Sequence, residues 1–161
     1  MLSYIIWAII LICLITLWWV IVNRKVHLLE ESIKNALNQI NAQLTGSVDA
    51  LSSFLSSLGE EIEPADLEQK ITITEIIHKE EVVKALEDKI DKVKPTIKKS
   101  KEYKEAKDAV EIFDTMVNTS TLIYNDCVGR YNREIKKLHT VPIAYLAGCG
   151  KQELLKIDSN K

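Results

Sequence analysis

An uninterrupted apolar segment near the start of the sequence constrains the fold more than any other feature. From Ser3 to Val22 the chain contains no charged residue, no Gly and no Pro. A helix of about 20 residues, rising about 1.5 Å per residue, matches a hydrocarbon core of roughly 30 Å and satisfies its own backbone hydrogen bonds in lipid. Trp18 and Trp19 lie toward one end, where indole rings favour the interface. Residues 3–22 are therefore predicted to form a transmembrane helix.

The residues that flank this segment predict its orientation. Arg24 and Lys25 follow it almost directly, whereas only Met1 and Leu2 precede it. Basic residues are retained on the cytoplasmic side of a membrane, so we expect a single-pass protein of the cell membrane with its N-terminus outside and its C-terminal domain in the cytoplasm. A cleaved signal peptide would need a basic region before the apolar segment and small residues after it, and neither pattern occurs.

The composition of the remaining chain favours long helices and excludes several functional classes. All 21 Lys and Arg and all 23 Asp and Glu follow the apolar segment, and the net charge of -2 gives no reason to expect nucleic acid as a partner. Three widely spaced Cys show neither metal spacing nor a disulfide framework, which fits a reducing cytoplasm. Only five Gly and three Pro occur in the chain, which is typical of long helices.

Apolar residues recur every three or four positions directly after the apolar segment, which predicts a helix from about Arg24 to Leu58. This helix is expected to continue from the transmembrane helix or to begin close to it. Gly46 is its weak point, because Gly in a helix costs about 1 kcal/mol relative to Ala, and Gly59 is the expected stop. The predicted buried positions share one face of the helix: Val26, Leu29, Ile33, Leu37, Ile40, Leu44, Val48, Leu51, Leu55 and Leu58.

Two further helices are predicted in the second half of the chain. Residues 60–70 are acidic and contain Pro64, which indicates a connector. A helical period returns at 83–93 and ends ahead of Pro95, since Pro disfavours helical geometry in the residue before it. The last long helix is expected from about Ser100 to Leu138, and the apolar segment 143–147 is expected to fold back on the bundle.

The predicted fold class is therefore all-α. An N-terminal transmembrane helix, residues 3–22, is followed by a cytoplasmic antiparallel bundle of three to four long helices over residues 23–150. Residues 151–161 are predicted to be a flexible C-terminal tail.

Two motifs of this chain resemble those of a known family. They are ALNQINAQL from Ala36 to Leu44 and YNDCVGRYN from Tyr124 to Asn132. They are similar to the Gln-Ile-Asp-x-Gln-Leu and Tyr-Asn-Asp-x-Val-x-x-Tyr-Asn segments of the LemA family of bacterial membrane-anchored proteins. Thr45 replaces the first of two Arg that usually follow the first motif. The resemblance implies an N-terminal anchor and a cytoplasmic helical bundle, and it implies no reaction, because the family has no established one.

No group of residues shows the spacing of a catalytic or metal site. The three His residues lack the i, i+4 pairing of a helical metal site; they are His27, His78 and His139. No His lies at an informative spacing from Cys127, and the segment from Gly148 to Lys151 lacks the full spacing of a phosphate-binding loop. We therefore predict no catalytic residue, no metal and no cofactor.

The family-matched residues allow a structural and a functional interpretation. Tyr124 and Tyr131 fall on the buried face of the last helix, while Asn118, Asn125 and Asn132 recur every seven residues on its flank. Polar residues beside a helical seam can fix its register; alternatively, these positions line a groove for a partner. The candidate register-setting or partner-binding residues are Gln39, Gln43, Tyr124, Asn125, Asp126, Tyr131 and Asn132.

These observations favour a membrane-anchored, non-enzymatic scaffold or adaptor whose cytoplasmic bundle binds a protein partner. One alternative is a stalk-like or coiled-coil membrane protein that forms homo-oligomers. The other alternative is an enzyme of an unrecognised type.

Overall fold

The computed structural model describes residues 2–58, 72–93, 97–137 and 139–156. Within these ranges the elements are α1 (Leu2–Ser57), α2 (Ile73–Asp91), a short 3-10 helix (Ile97–Lys99), α3 (Lys101–Glu134) and α4 (Val141–Leu146), and none of the described residues forms a strand. The predicted all-α fold class is confirmed.

The first helix, α1, contains both the apolar segment and the long helix predicted after it. It continues without a break from Leu2 to Ser57, and its most apolar window has a mean hydropathy of 2.9. This helix is long and apolar enough to cross a membrane. The side chains from Ser3 to Ile21 are exposed in the folded chain, as expected of a segment whose surroundings are not protein.

The chain divides into two compact units, each of which has its own packing. Unit 1 contains Met1–Lys34 and Asn125–Leu154, and unit 2 contains Asn35–Tyr124 and Leu155–Lys161.

In unit 1, α1 and the C-terminal end of α3 run antiparallel. Lys25 of α1 pairs with Glu134 of α3. Five residues later in α1, Glu30 accepts a hydrogen bond from Tyr131, which precedes Glu134 in α3. The buried apolar residues of unit 1 are Val22, Val26, Ile33, Val128, Tyr131, Ile143 and Ala144. Because the apolar face of α1 continues past Val22, the protein covers this last residue of the apolar segment itself.

In unit 2, α3 runs antiparallel to α1, whereas α2 runs in the same direction as α1. Lys79, near the start of α2, contacts Asn41, and Tyr103 of α3 contacts both Phe54 of α1 and Asp91 at the end of α2. One buried cluster joins the three helices: Val48, Leu51, Phe54, Leu55, Leu86, Ile90, Ala106 and Val110. Val48, Leu51 and Leu55 of this cluster belong to the face of α1 that was predicted from apolar spacing.

Several helix ends differ from the sequence-based positions. The second helix begins at Ile73, before the helical period that the sequence shows from 83, and the Thr72 hydroxyl caps it by accepting the backbone N–H of Glu75 at 3.3 Å. The last long helix ends at Glu134, before the predicted Leu138, which lies outside the described residues. Two further predicted features also lie outside the described residues: the connector 60–70, with Gly59 and Pro64, and the helix end at Pro95. In the predicted tail 151–161, Leu155 is buried.

Candidate functional site

Tyr131 belongs to a group of polar side chains in unit 1 that has Glu30 at its centre. Its ring is fully buried, and its hydroxyl donates to Oε1 of Glu30 at 3.2 Å. The Cys149 thiol donates to the same oxygen at 3.7 Å, while Nδ1 of His27 lies 3.5 Å from Oε2. Glu30 therefore joins α1 to α3 and to the turn after α4.

The protonation of these groups indicates a structural role. Burial, together with the neighbouring thiol and Glu30, raises the pKa of the Tyr131 hydroxyl above its ordinary range. Burial also raises the pKa of the Cys149 thiol, helped by the Glu30 carboxylate and opposed by the bond with Tyr131. Since the thiolate is the nucleophilic form, a thiol with a raised pKa is a poor nucleophile at neutral pH.

Glu134 forms a second polar group of unit 1, at the end of α3. Its side chain is 8% exposed and lies 2.9 Å from Nζ of Lys25 and 2.7 Å from Nζ of Lys137. Nε2 of His139 lies 3.8 Å from the same carboxylate. Burial alone would raise the pKa of Glu134, but the bonds from Lys137 and Lys25 outweigh it and hold this pKa below its ordinary value.

Asn132, a family-matched residue, binds the backbone of the C-terminal segment. Its Nδ2 donates to the carbonyl of Gln152 at 2.8 Å, and its Oδ1 accepts the N–H of Gln152 at 2.9 Å. Asn125 is half-buried, and the exposed Asp126 pairs with Arg130 at 2.7 Å on the same helix. The structure thus brings Tyr131 and Asn132 into the packing of unit 1 and leaves Asp126 on its surface.

The remaining candidate residues belong to unit 2. Tyr124 is 1% exposed, Gln39 is exposed, and Gln43 is half-buried with an Oε1 that has no hydrogen-bond partner among the described residues. Tyr124 therefore belongs to the core, and the candidate positions do not form one continuous groove within either unit.

Lys79 is a buried polar residue that the sequence analysis did not select. It is 4% exposed, and its Nζ donates to Oδ1 of Asn41 at 2.6 Å and to Oγ1 of Thr45 at 3.4 Å. Two neutral oxygens of α1 thus accept hydrogen bonds from this buried ammonium group, which fastens α2 to α1. Its position three residues after the buried Ile76 was the available signal, but a Lys at an apolar spacing usually indicates the edge of a stripe.

The His residues of unit 1 and unit 2 form no metal centre. Among residues 2–58, 72–93, 97–137 and 139–156, no group of three or more His, Cys, Asp or Glu is placed to hold a metal ion. His78 lies 3.9 Å from Glu81 on the surface of α2. The polar groups around Glu30, Glu134 and Lys79 hold helices together through hydrogen bonds and ion pairs.

The chain was compared with known proteins at three levels: family models, curated proteins and solved structures. No family model, curated protein or solved structure matches the chain. The similarity of the two motifs to the LemA family therefore stays a prediction, supported by the sequence alone.

Within the described residues of unit 2, α3 exposes a group of large apolar side chains. Four large apolar side chains are exposed between 46% and 71% and are close in sequence on the part of α3 that belongs to this unit: Ile112, Met116, Leu122 and Ile123. We call these four residues the α3 surface patch. Ile112, Met116 and Ile123 follow i, i+4 and i+11, so they share one face of the helix, and the buried Ala106, Val110 and Val117 occupy another.

Proposed function

We propose that this protein is a single-pass membrane-anchored adaptor without enzymatic activity, whose cytoplasmic helices bind a protein partner through the α3 surface patch. The observation that carries the proposal is this exposed apolar patch on a helix that already buries a complete second apolar face. A surface helix needs only one such face to fold. A second one marks an interaction site in soluble parts of proteins.

The anchor is the N-terminal part of α1. Its apolar segment ends at Val22 and is followed by Arg24 and Lys25, which the positive-inside rule assigns to the cytoplasm. Because α1 continues as one helix to Ser57, the helices that follow the anchor are tethered at the inner surface of the membrane. An adaptor at this position concentrates its partner next to the bilayer.

The charge beside the patch indicates the chemistry of the partner. From Asp108 to Ile123, α3 carries three carboxylates and neither Lys nor Arg; the three are Asp108, Glu111 and Asp114, all exposed. An amphipathic helix with an apolar face and basic flanking residues fits such a surface. A second copy of this chain, docked on the same patch, would bring like charges together.

The stalk-like alternative would use the same patch for self-association. Light scattering on the full chain in detergent micelles distinguishes the two, after the detergent contribution is subtracted. The adaptor proposal predicts the mass of one chain, and the stalk-like alternative predicts the mass of two or more.

The function is tested by affinity capture from solubilised membranes with two matched variants. Ile112→Ser combined with Ile123→Ser removes two patch residues, while Ile77→Ser removes an exposed apolar residue of α2. We expect a protein with a basic amphipathic helix to be captured by wild type and by Ile77→Ser, with less capture at high salt, and to be lost with the double variant. Equal capture by all three chains would contradict the proposal.

A further inference from the structure

In unit 1, the end of α3 lies beside the end of the apolar segment of α1. The Lys25 ammonium, 2.9 Å from the Glu134 carboxylate, follows Val22 by three residues, or about 4.5 Å along a helix. Val22 and Val26 are 6% and 3% exposed, so protein covers α1 at the point where the apolar segment ends. The chain that follows Glu134 therefore begins next to the end of the membrane span.

The helix α4 packs one side into unit 1 and leaves the other side uncovered. Ile143 and Ala144 are 1% and 5% exposed, whereas Val141, Tyr145 and Leu146 are 46%, 85% and 69% exposed. Three apolar side chains are thus presented outward by a helix of six residues. We call Val141, Tyr145 and Leu146 the α4 tip.

The turn after α4 fixes this arrangement. The backbone N–H of Cys149 donates to the carbonyl of Ala144 at 2.8 Å, and Gly148 has a positive φ of 67°, which costs Gly little. The chain therefore reverses directly after Leu146 and returns to unit 1, where Cys149 contacts Glu30 and Gln152 is held by Asn132. The α4 tip projects from a loop that is fastened at both ends.

Between its flanking residues Glu134 and Glu153, the segment that carries the tip holds only basic charges. From Ile135 to Gln152 the chain contains three Lys and one His and neither Asp nor Glu; Lys136 and Lys151 are exposed, as is Arg24 at the end of the apolar segment. Aromatic and aliphatic side chains combined with Lys and Arg at the end of a span are typical of the membrane interface.

We propose that the α4 tip inserts into the interfacial layer of the bilayer that α1 crosses, with Lys136, Lys151 and Arg24 on the phosphates of its lipids. This contact rests on the proposed anchor and adds a second attachment that would fix the orientation of unit 1 against the membrane. The lipid surface is the occupant favoured by position, because α1 holds this loop beside the bilayer whether or not any protein partner is present. Tyr145 suits the site because its ring is apolar and its hydroxyl can stay in water.

The test uses the full chain in lipid nanodiscs with one environment-sensitive fluorophore. Cys13, Cys127 and Cys149 are first replaced by Ser, and a single Cys is then introduced by Leu146→Cys or, as the matched control, Leu122→Cys. The two Leu are 69% and 71% exposed, so packing alone predicts the same emission. We expect a blue shift and quenching by nitroxide-labelled lipids at 146, and water-like emission without quenching at 122.

The lipid composition separates apolar insertion from phosphate binding. Quenching at 146 should increase when phosphatidylglycerol is added to phosphatidylcholine, and Lys136→Gln with Lys151→Gln should remove this increase. A chain that fails to enter nanodiscs would overturn both the anchor and this inference. A chain that enters them but shows water-like emission at 146 would overturn the α4 contact and leave the anchor intact.

Discussion

A Cβ atom at Gly46 would lie 2.7 Å from Cε1 of Phe113. The ring of Phe113 on α3 therefore packs directly on the backbone of α1, in the middle of a helix that continues through the Gly. Gly within a helix costs about 1 kcal/mol relative to Ala. Here this cost is offset by the close approach of α1 and α3, which a side chain at residue 46 would block.

We expect Gly46→Ala to lower the melting temperature, although Ala is the better helix former, because the Phe113 ring must move. In a Phe113→Leu background the same change should be neutral or stabilising. Circular dichroism melts of the four chains in detergent micelles give the coupling, expected at about 0.5–3 kcal/mol for residues in contact. Strictly additive effects would mean that the ring does not rest on this Gly.

Removal of the Tyr131 ring should destabilise the protein far more than removal of its hydroxyl. Tyr131 is fully buried, so Tyr131→Ala should cost about 3–5 kcal/mol. Tyr131→Phe should cost about 0.5–1.5 kcal/mol for one lost hydrogen bond, together with the effect on Glu30. Chemical denaturation of both variants measures the difference, and a wild-type midpoint for Tyr131→Ala would place this ring at a binding surface instead of in the core.

The Glu134 carboxylate makes stability depend on pH in a definite direction. Its pKa is below the ordinary 4.5, so the folded chain binds this proton less readily than the unfolded chain does. The stabilisation is fully present above the ordinary pKa and is lost as pH falls through the lowered one. Glu134→Gln should therefore lower the melting temperature at neutral pH, and the difference from wild type should disappear in acid. A difference that is the same at every pH would contradict this account.

The sequence predicted the helical seams well because apolar spacing is a local property. Val26, Ile40 and Leu55 on α1 and Tyr131 on α3 were placed on buried faces from spacing alone, and the structure buries all four. The features of the fold that apolar spacing did not predict depend on contacts between residues that are distant in the sequence.

Gly46 was predicted only as a weak point of the helix. Its packing against Phe113 was not predicted, because Phe113 is 67 positions away and no local pattern joins the two residues. The segment 143–147 was expected to fold back on the bundle; within it Ile143 is buried and Tyr145 is exposed. Short helices bury only one side, and the pattern of so few residues does not tell which one. Tyr131 and Asn132 were selected from the sequence as candidate residues. Their contacts to Glu30 and Gln152 were not predicted, because these partners are distant in the sequence.

The orientation of the chain in the membrane can be measured with single Cys residues on either side of the apolar segment. In a chain without its native Cys, Ser3→Cys should react with a membrane-impermeant maleimide in intact cells. Lys101→Cys, at a side chain that is 85% exposed, should react only after lysis, because Arg24 and Lys25 predict that residue 101 lies in the cytoplasm. Labelling of residue 101 in intact cells would reverse the predicted topology.

Site-specific photocrosslinking in living cells tests the adaptor proposal most directly. A photoreactive amino acid replaces Met116, in the α3 surface patch, or Asp114, an exposed residue of the same helix that does not belong to the patch. The account predicts an adduct with one protein that carries a basic amphipathic helix at 116, none at 114, and loss of the adduct when Ile112→Ser and Ile123→Ser are added. Equal adducts at both positions, or a single adduct at 116 with the mass of two copies of this chain, would contradict it.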